Sequence, residues 1–356
     1  MRTSEYVSLG HPDKVADYIS EYLLDRYLEQ DPDTRYAVEV QIKDTRVCLG
    51  GEVTSQASFG PEQIEKYVQE AVREIGYTKE YADKWGRENT ISADDIECHS
   101  FISQQSPDIA QGVDRDGWGD QGIFFGYAEP LDWGHNGLRA DRYWAEKLGR
   151  RLYEMAVNGT LDAGIDIKTQ VTIGKDDNIT DVVVAIPLLP GVSSFAVAEV
   201  VSEIIPGHYN LIINGTGTYV QHGPVADCGT TGRKLVVDFY GGAARIGGGS
   251  PWTKDGSKAD LALNLYTRDV AVANADKTGK VCTTAASCVI GMRKVDLLIN
   301  ESEHRNSVSP RKLIEAYGLN QPIYANLCRC GIMDPEWPWN ADKETRKLWD
   351  EEGLEY

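Results

Sequence analysis

The chain has 356 residues, 41% of them apolar, and its 36 basic against 55 acidic residues leave a formal charge of −19. That length provides for roughly two to three domains with cores of their own, and the acidic balance excludes general binding to nucleic acid or to anionic membranes, whose phosphates require a basic face. The opening MRTSEYVSLGHPDK lacks the basic and apolar regions of a secretion signal, and seven cysteines follow no disulfide-framework spacing, so a soluble cytoplasmic protein with reduced thiols is expected.

In chain order, helical periodicity comes first at Val15, Ile19, Leu23 and Tyr27. Two strand-like runs follow, Tyr36 to Ile42 and Val47 to Val53, joined by a polar turn at Lys43-Asp44. A second helix carries Ile64, Val68, Val72 and Ile75 between Pro61 and Gly76. The same order returns as a helix around Trp144, Leu148, Leu152 and Met155, strands Lys168 to Ile173 and Ile179 to Ile186, and a helix from Ser193 to Ile205. It returns again as a helix from Lys258 to about Ala275, strands Val281 to Ile290 and Val295 to Asn300, and a helix between Pro310 and Gly318. Three αββα-type units predict an α+β fold with sheets and helices layered about a common centre. The boundaries fall at 1–104, 105–234 with a polar lid near 105–120, and 235–356 with a glycine-rich loop. The acidic, Trp-rich stretch from Met333 to Tyr356 reads as a surface helix.

Chemistry concentrates between Asp227 and Asp260, where Arg233, Lys234, Lys254 and Lys258 surround Gly241-Gly242 and Gly247-Gly248-Gly249. Glycines let backbone N–H groups approach a ligand and the cations neutralise it, which reads as a polyphosphate cradle. No Walker spacing is present, so a nucleotide is held in another way. Gly10-His11-Pro12-Asp13-Lys14 precedes the first helix and reads either as an ordinary cap or as an anion-facing helix start. Glu39 and Glu52 lie in apolar strand runs, where they either bind a cation or share a solvated face. Asp166 and Lys168, two apart, offer a carboxylate and an ammonium to a nucleotide or form a surface pair.

Taken together, SEYVSLGHPDKVAD, DPDTRYAVEV, GGEVT, QSPDIAQGVD, GDQGIFFGYA, DIKTQVT, DCGTTGRKLVVDFYGG and GGGSPWTKDGSKAD resemble the S-adenosylmethionine synthetases over nearly the whole chain. The resemblance implies three similar domains about a pseudo-threefold axis, ATP and L-methionine as substrates, and sites formed between two subunits of a homodimer or dimer of dimers. It implies attack of the methionine sulfur on C5′ of ATP, with the expelled tripolyphosphate hydrolysed before release. By the same resemblance, catalysis falls to His11, Lys168, Arg233 and Lys254, His11 lying beside the phosphate next to the breaking bond. Lys234, Asp166, Asp227 and Ser250 join them around ATP, and Tyr219 stacks on adenine. Glu52, Gln105, Asp120, Asp227 and Lys258 serve methionine or its lid. Asp13 and Asp260 are implied as Mg2+ ligands and Glu39 as the K+ carboxylate.

The chain departs from the family pattern at Trp118, Glu129-Pro130, Thr218, Ile246 and Ser250 to Thr253, and the lid between Val113 and Gly119 is short. These changes are expected around adenine and methionine. A nucleotide-binding regulator without turnover, a tripolyphosphate hydrolase and a synthetase for a methionine analogue are the alternatives.

Overall fold

The computed structural model describes residues 1–104 and 117–341, with side chains throughout except at 306–307. Helix ends follow local chemistry. Pro12 opens α1 (Pro12–Leu28) behind the N-cap His11, and Pro61 opens α2 (Pro61–Ile75), which Gly76 closes at φ 116.

The three hairpins expected from the sequence form β2 (Arg35–Lys43) with β3 (Arg46–Thr54), β6 (Lys168–Ile173) with β7 (Ile179–Ala185), and β10 (Cys282–Cys288) with β11 (Lys294–Ile299). Their leading helices are α1, α4 (Ala140–Val157) and α7 (Ala259–Thr278). Their trailing helices are α2, α5 (Phe195–Ile204) and α8 (Pro310–Tyr317). A short α3 (Lys79–Trp85) follows α2, α6 (Leu235–Asp238) precedes the glycine-rich loop, and α9 (Tyr324–Cys330) packs on α1.

Each hairpin sits inside a four-stranded sheet, in the orders β4-β3-β2-β9, β1-β6-β7-β8 and β12-β11-β10-β5. The added strands are β1 (Arg2–Val7), β4 (Glu97–Ser103), β5 (Gly122–Ala128), β8 (Asn210–Ile213), β9 (Gly229–Thr230) and β12 (Ser302–Ser307). Strands β1, β5 and β9 each precede the leading helix of one unit yet pair antiparallel with the first hairpin strand of another, β6, β10 and β2 respectively. This cyclic exchange is the pseudo-threefold order expected above. It also means that the sheets do not follow the contiguous boundaries at 104 and 234, because ladder pairing is set by register between segments distant in sequence. Strands β4 and β8 return parallel after a helix, whereas β12 follows β11 directly through Asn300 and Glu301, both at positive φ, as an antiparallel hairpin.

Of the leading helices, α1 and α7 lie deepest. Every residue of α1 except Arg26 is buried, as expected of a helix covered on all sides. Of the surface helix expected over Met333 to Tyr356, residues 342–356 lie outside the described residues; residues 333–341 make only a 3₁₀ turn, Pro338–Asn340, since prolines at 335 and 338 interrupt helical hydrogen bonding. Trp339 is buried there and stacks on Trp337, while Trp349 lies outside the described residues.

Candidate functional site

Three chain segments meet at the start of α1, and two glycines let them touch. A Cβ on Gly10 would come within 2.4 Å of the Ile165 carbonyl oxygen, and one on Gly229 within 2.0 Å of the Pro12 carbonyl oxygen. The sequence GHPD thereby lies between the strand start that carries Asp166 and Lys168 and the segment that carries Arg233 and Lys234. His11 is buried, and its Nδ1 accepts the backbone N–H of Asp13 at 3.1 Å. The neutral ring then carries its proton on Nε2, a donor. Burial, followed by the charges of Lys234 and Lys168, lowers its pKa from 6.5 to about 3.

The sign follows from linkage. The unfolded chain takes the proton first, so stability that depends on the neutral ring is complete above about pH 6.5 and is lost as pH falls towards 3. We expect the His11 ring resonances of the ligand-free protein to stay flat from about pH 8 to about pH 5. A titration centred near the ordinary histidine value would contradict this environment.

Asp13 accepts the Thr230 N–H at 3.0 Å and the Lys234 ammonium at 2.5 Å, with Arg233 Nη1 at 3.7 Å. Burial works against its charge, but Lys234 and the Thr230 amide prevail and hold its pKa below the ordinary value. Asp13 begins a stripe that the sequence reading overlooked: Asp13, Asp17, Glu21 and Asp25 recur every four residues on α1, and all are buried. Asp17 accepts Gly232 N–H at 2.8 Å, Glu21 accepts Thr253 N–H at 2.6 Å, and Asp25 accepts those of Tyr324 and Ala325 at 2.9 Å. A carboxylate repeat of i, i+4 on one helix face was the available signal. Asp13, Asp17 and Glu21 clamp the cation-bearing loops onto α1, and Asp25 holds the start of α9 there.

The outer edge of β2 is completed by two of those loops. Gly229 and Thr230 pair with Ile42 and Gln41, and Thr253 O accepts Val38 N–H at 3.2 Å while Lys254 bridges to Ala37. Glu39 lies between them, its carboxylate accepting the hydroxyls of Thr231 and, at 3.1 Å, of Thr253. Thr253 has φ 72, a conformation costly for a β-branched residue, and the bonds to Glu21, Glu39 and Val38 hold it there. That bend aims Lys254, whose ammonium lies 2.5 Å from Asp260 in the first turn of α7. Gly249 lies against the same carboxylate, a Cβ there meeting Asp260 Oδ1 at 2.0 Å. Lys258 caps α7 and pairs with the buried Asp255 at 2.9 Å.

Most of the expected residues thus form one wall. Asp166 accepts Gly223 N–H at 2.9 Å, and burial raises its pKa to about 6, with Lys168 opposing and Asp227 and Asp13 adding. Tyr219 Oη lies 3.5 Å from the Asp166 carbonyl oxygen, and Ser250 sits against Gly232. Asp120 is exposed across the α7 end, where its charge and that of Asp260 both act on Cys288. Glu52 shares the exposed face of the first sheet with Glu39, opposite Ala37. Gln105 and most of the expected lid lie outside the described residues.

Two departures do not line a site. Trp118 is fully buried and donates from Nε1 to Val308 O at 3.0 Å. Trp252 is also buried: it donates to Asp238 at 2.7 Å, and Lys14, paired with Asp17 and Asp238, lies 4.3 Å from its ring centre. Large rings there serve packing and a buried ion cluster. Among the described residues no three His, Cys, Asp or Glu side chains converge into a metal cage. No helix of the described residues is long and apolar enough to cross a membrane.

The exchanged strands and repeated hairpins together define an α+β protein of three interlocked units. Family models described as the N-terminal and C-terminal domains of S-adenosylmethionine synthetase match residues 1–107 and 221–305. The S-adenosylmethionine synthase of Akkermansia muciniphila is 34% identical over 386 positions, covering 97% of this chain and 95% of its own. A solved structure described as an unusual S-adenosylmethionine synthetase from Campylobacter jejuni aligns at a TM-score of 0.86 and 28% identity, over 98% of both chains. The chain belongs to the S-adenosylmethionine synthetase family, and its enzyme class is methionine adenosyltransferase.

Proposed function

We propose that the chain makes S-adenosylmethionine from ATP and L-methionine by attack of the methionine sulfur on C5′, with hydrolysis of the expelled tripolyphosphate to pyrophosphate and phosphate. The observation that carries this reading is the convergence of His11, Arg233 and Lys234 at the start of α1, with Lys168 close enough to depress the His11 pKa. A thioether is neutral and needs no general base, so the barrier is lowered by aligning sulfur with carbon and by stabilising charge on the leaving oxygen. His11 Nε2–H donates without bringing a buried charge of its own. Lys168, Arg233, Lys234 and Lys254 neutralise the rest of the phosphate chain.

The donors suit the ions of the family. Asp13 and Asp260 are hard carboxylates, each now balanced by one lysine, and would hold Mg2+ in company with substrate phosphates. Bound Mg2+ supplies charge neutralisation to those phosphates. Glu39 with the hydroxyls of Thr231 and Thr253 offers an oxygen set suited to K+. Glu39→Gln is expected to abolish activation by K+ while leaving the fold intact. An undiminished response to added K+ would remove Glu39 from that site.

Asp166 and Tyr219 attend the nucleoside, and Glu52, Gln105, Asp120, Asp227 and Lys258 the methionine end. We assign the active form to a homodimer or dimer of dimers with shared sites. Glu39 and Glu52 lie on an open sheet face beside Phe101, which is 70% exposed. A partner there would cover the ring and close the carboxylates in. The unpaired state of all seven cysteines and the nature of the substrates support a cytoplasmic location.

The test is an assay with ATP, Mg2+ and K+, following S-adenosylmethionine and phosphate by mass spectrometry with and without L-methionine. Methionine-dependent product is expected. Phosphate release without it would replace this reading by a hydrolase or an altered substrate, and silence despite ATP binding by a regulator.

A further inference from the structure

Behind the strand start that bears Asp166 and Lys168 lies a group of rings that none of the assignments above uses. His222 is 0% exposed. Its Nδ1 lies 2.7 Å from the Val220 carbonyl oxygen, and a carbonyl only accepts, so Nδ1 carries the proton and Nε2 keeps a lone pair. Nε2 lies 2.5 Å from Tyr81 Oη, which therefore donates to it. The accepting side of the same hydroxyl takes the Ile165 N–H at 3.0 Å. The direction is set from end to end: Ile165 N–H to Tyr81, Tyr81 O–H to His222, His222 N–H to Val220.

Trp85 stands edge-on to the imidazole with centroids 4.8 Å apart, and Tyr81 does the same at 5.7 Å, so the polar chain runs through an aromatic wall. Burial lowers the His222 pKa to about 4, which keeps the ring neutral and the direction unchanged at neutral pH.

Both ends of this chain adjoin the site. Ile165 immediately precedes Asp166, and its carbonyl oxygen is the surface against which Gly10 packs beside His11. Val220 immediately follows Tyr219. The bond from Gly223 N–H to Asp166 closes a second link between the same two segments. Losing the Tyr81 hydroxyl would leave the Ile165 amide and the His222 lone pair without partners, in a place where water has no access to the imidazole.

We propose that Tyr81 and His222 are positioning residues for the adenosine end of the site. Their hydrogen-bond chain sets the separation between the segment bearing Asp166 and Lys168 and the segment bearing Tyr219. The inference rests on the reading of this wall as the ATP site.

Tyr81→Phe keeps the ring and removes the link. Amide hydrogen exchange at Ile165 is expected to quicken by about tenfold or more, the scale of one buried hydrogen bond. The KM for ATP should rise by a similar factor, about tenfold, with the KM for methionine unchanged. His222→Leu is expected to reproduce both effects. His222→Gln, whose carbonyl can accept from Tyr81, should restore most of the wild-type behaviour and supplies the comparison if Tyr81→Phe does not fold. Unaltered exchange at Ile165 in folded Tyr81→Phe would overturn the link, and faster exchange with an unaltered KM for ATP would overturn the positioning role. Wild-type protein that binds no ATP by calorimetry would instead overturn the site reading and the positioning of adenosine with it, leaving the exchange result to decide only the hydrogen-bond chain.

Discussion

Lys254→Ala is expected to lower turnover by on the order of a hundredfold or more while the protein stays folded. The ammonium belongs to a loop whose backbone is held independently of it, by the bridge from Lys254 to Ala37 and by the bonds of Thr253 to Val38 and Glu21. Its ion pair with Asp260 joins side chains 21% and 24% exposed. A fully solvent-exposed pair contributes about 0–1 kcal/mol to stability, and this partly exposed one still keeps contact with water. Charge on a departing tripolyphosphate has no such solvent compensation in a closed site, so the loss falls on the chemical step. The check is kcat and KM for ATP beside a thermal melt. Near-normal turnover in a folded Lys254→Ala protein would remove this lysine from the leaving-group site.

The second large effect is expected from Gly229→Ala, which adds one methyl group and no charge. That methyl would meet the Pro12 carbonyl oxygen at 2.0 Å and the carbonyl carbon at 2.4 Å, both backbone atoms that cannot rotate aside. The segment must move away from α1, loosening the bond from Thr230 N–H to Asp13 and the pair of Lys234 with Asp13. Overpacking of this kind costs about 1–3 kcal/mol, and displacing a phosphate-binding segment by about 1 Å costs on the order of a hundredfold in rate. A lowered melting temperature together with the rate loss is the expected result. Gly229→Ala with wild-type turnover would mean that the contact between β9 and α1 does not set the site.

These two predictions differ in how far the sequence could carry them. Lys254 stood out as one of several cations among glycines in an acidic chain. Gly229 did not, because nothing near it in sequence announces that Pro12, more than two hundred residues earlier, fills the space where its side chain would be. The acidic stripe on α1 lies between these cases. Its spacing is visible in HPDKVADYISEYLLD, but the amides that it accepts belong to residues 230, 232, 253, 324 and 325.

Trp118 and Trp252 show the opposite error. As departures beside familiar motifs they were expected around the substrates, yet both rings point inward, to Val308 and Asp238. Identity at a position tells what a side chain can do, and burial decides whether a ligand can reach it.

By itself the sequence determined what is local or compositional. Pro61 and Gly76 bound α2, period-two alternation set the hairpins, and the ordered motifs carried the family. Caps, turns and amphipathic periods depend on neighbours within a few residues, so they can be read along the chain. Only the tertiary structure decided the cyclic exchange of β1, β5 and β9, the clamping of the cation loops onto α1, and the chain from Ile165 through Tyr81 and His222 to Val220. Those depend on close approach and hydrogen bonding between segments far apart in sequence, and no local pattern encodes which distant backbone group a buried side chain will meet.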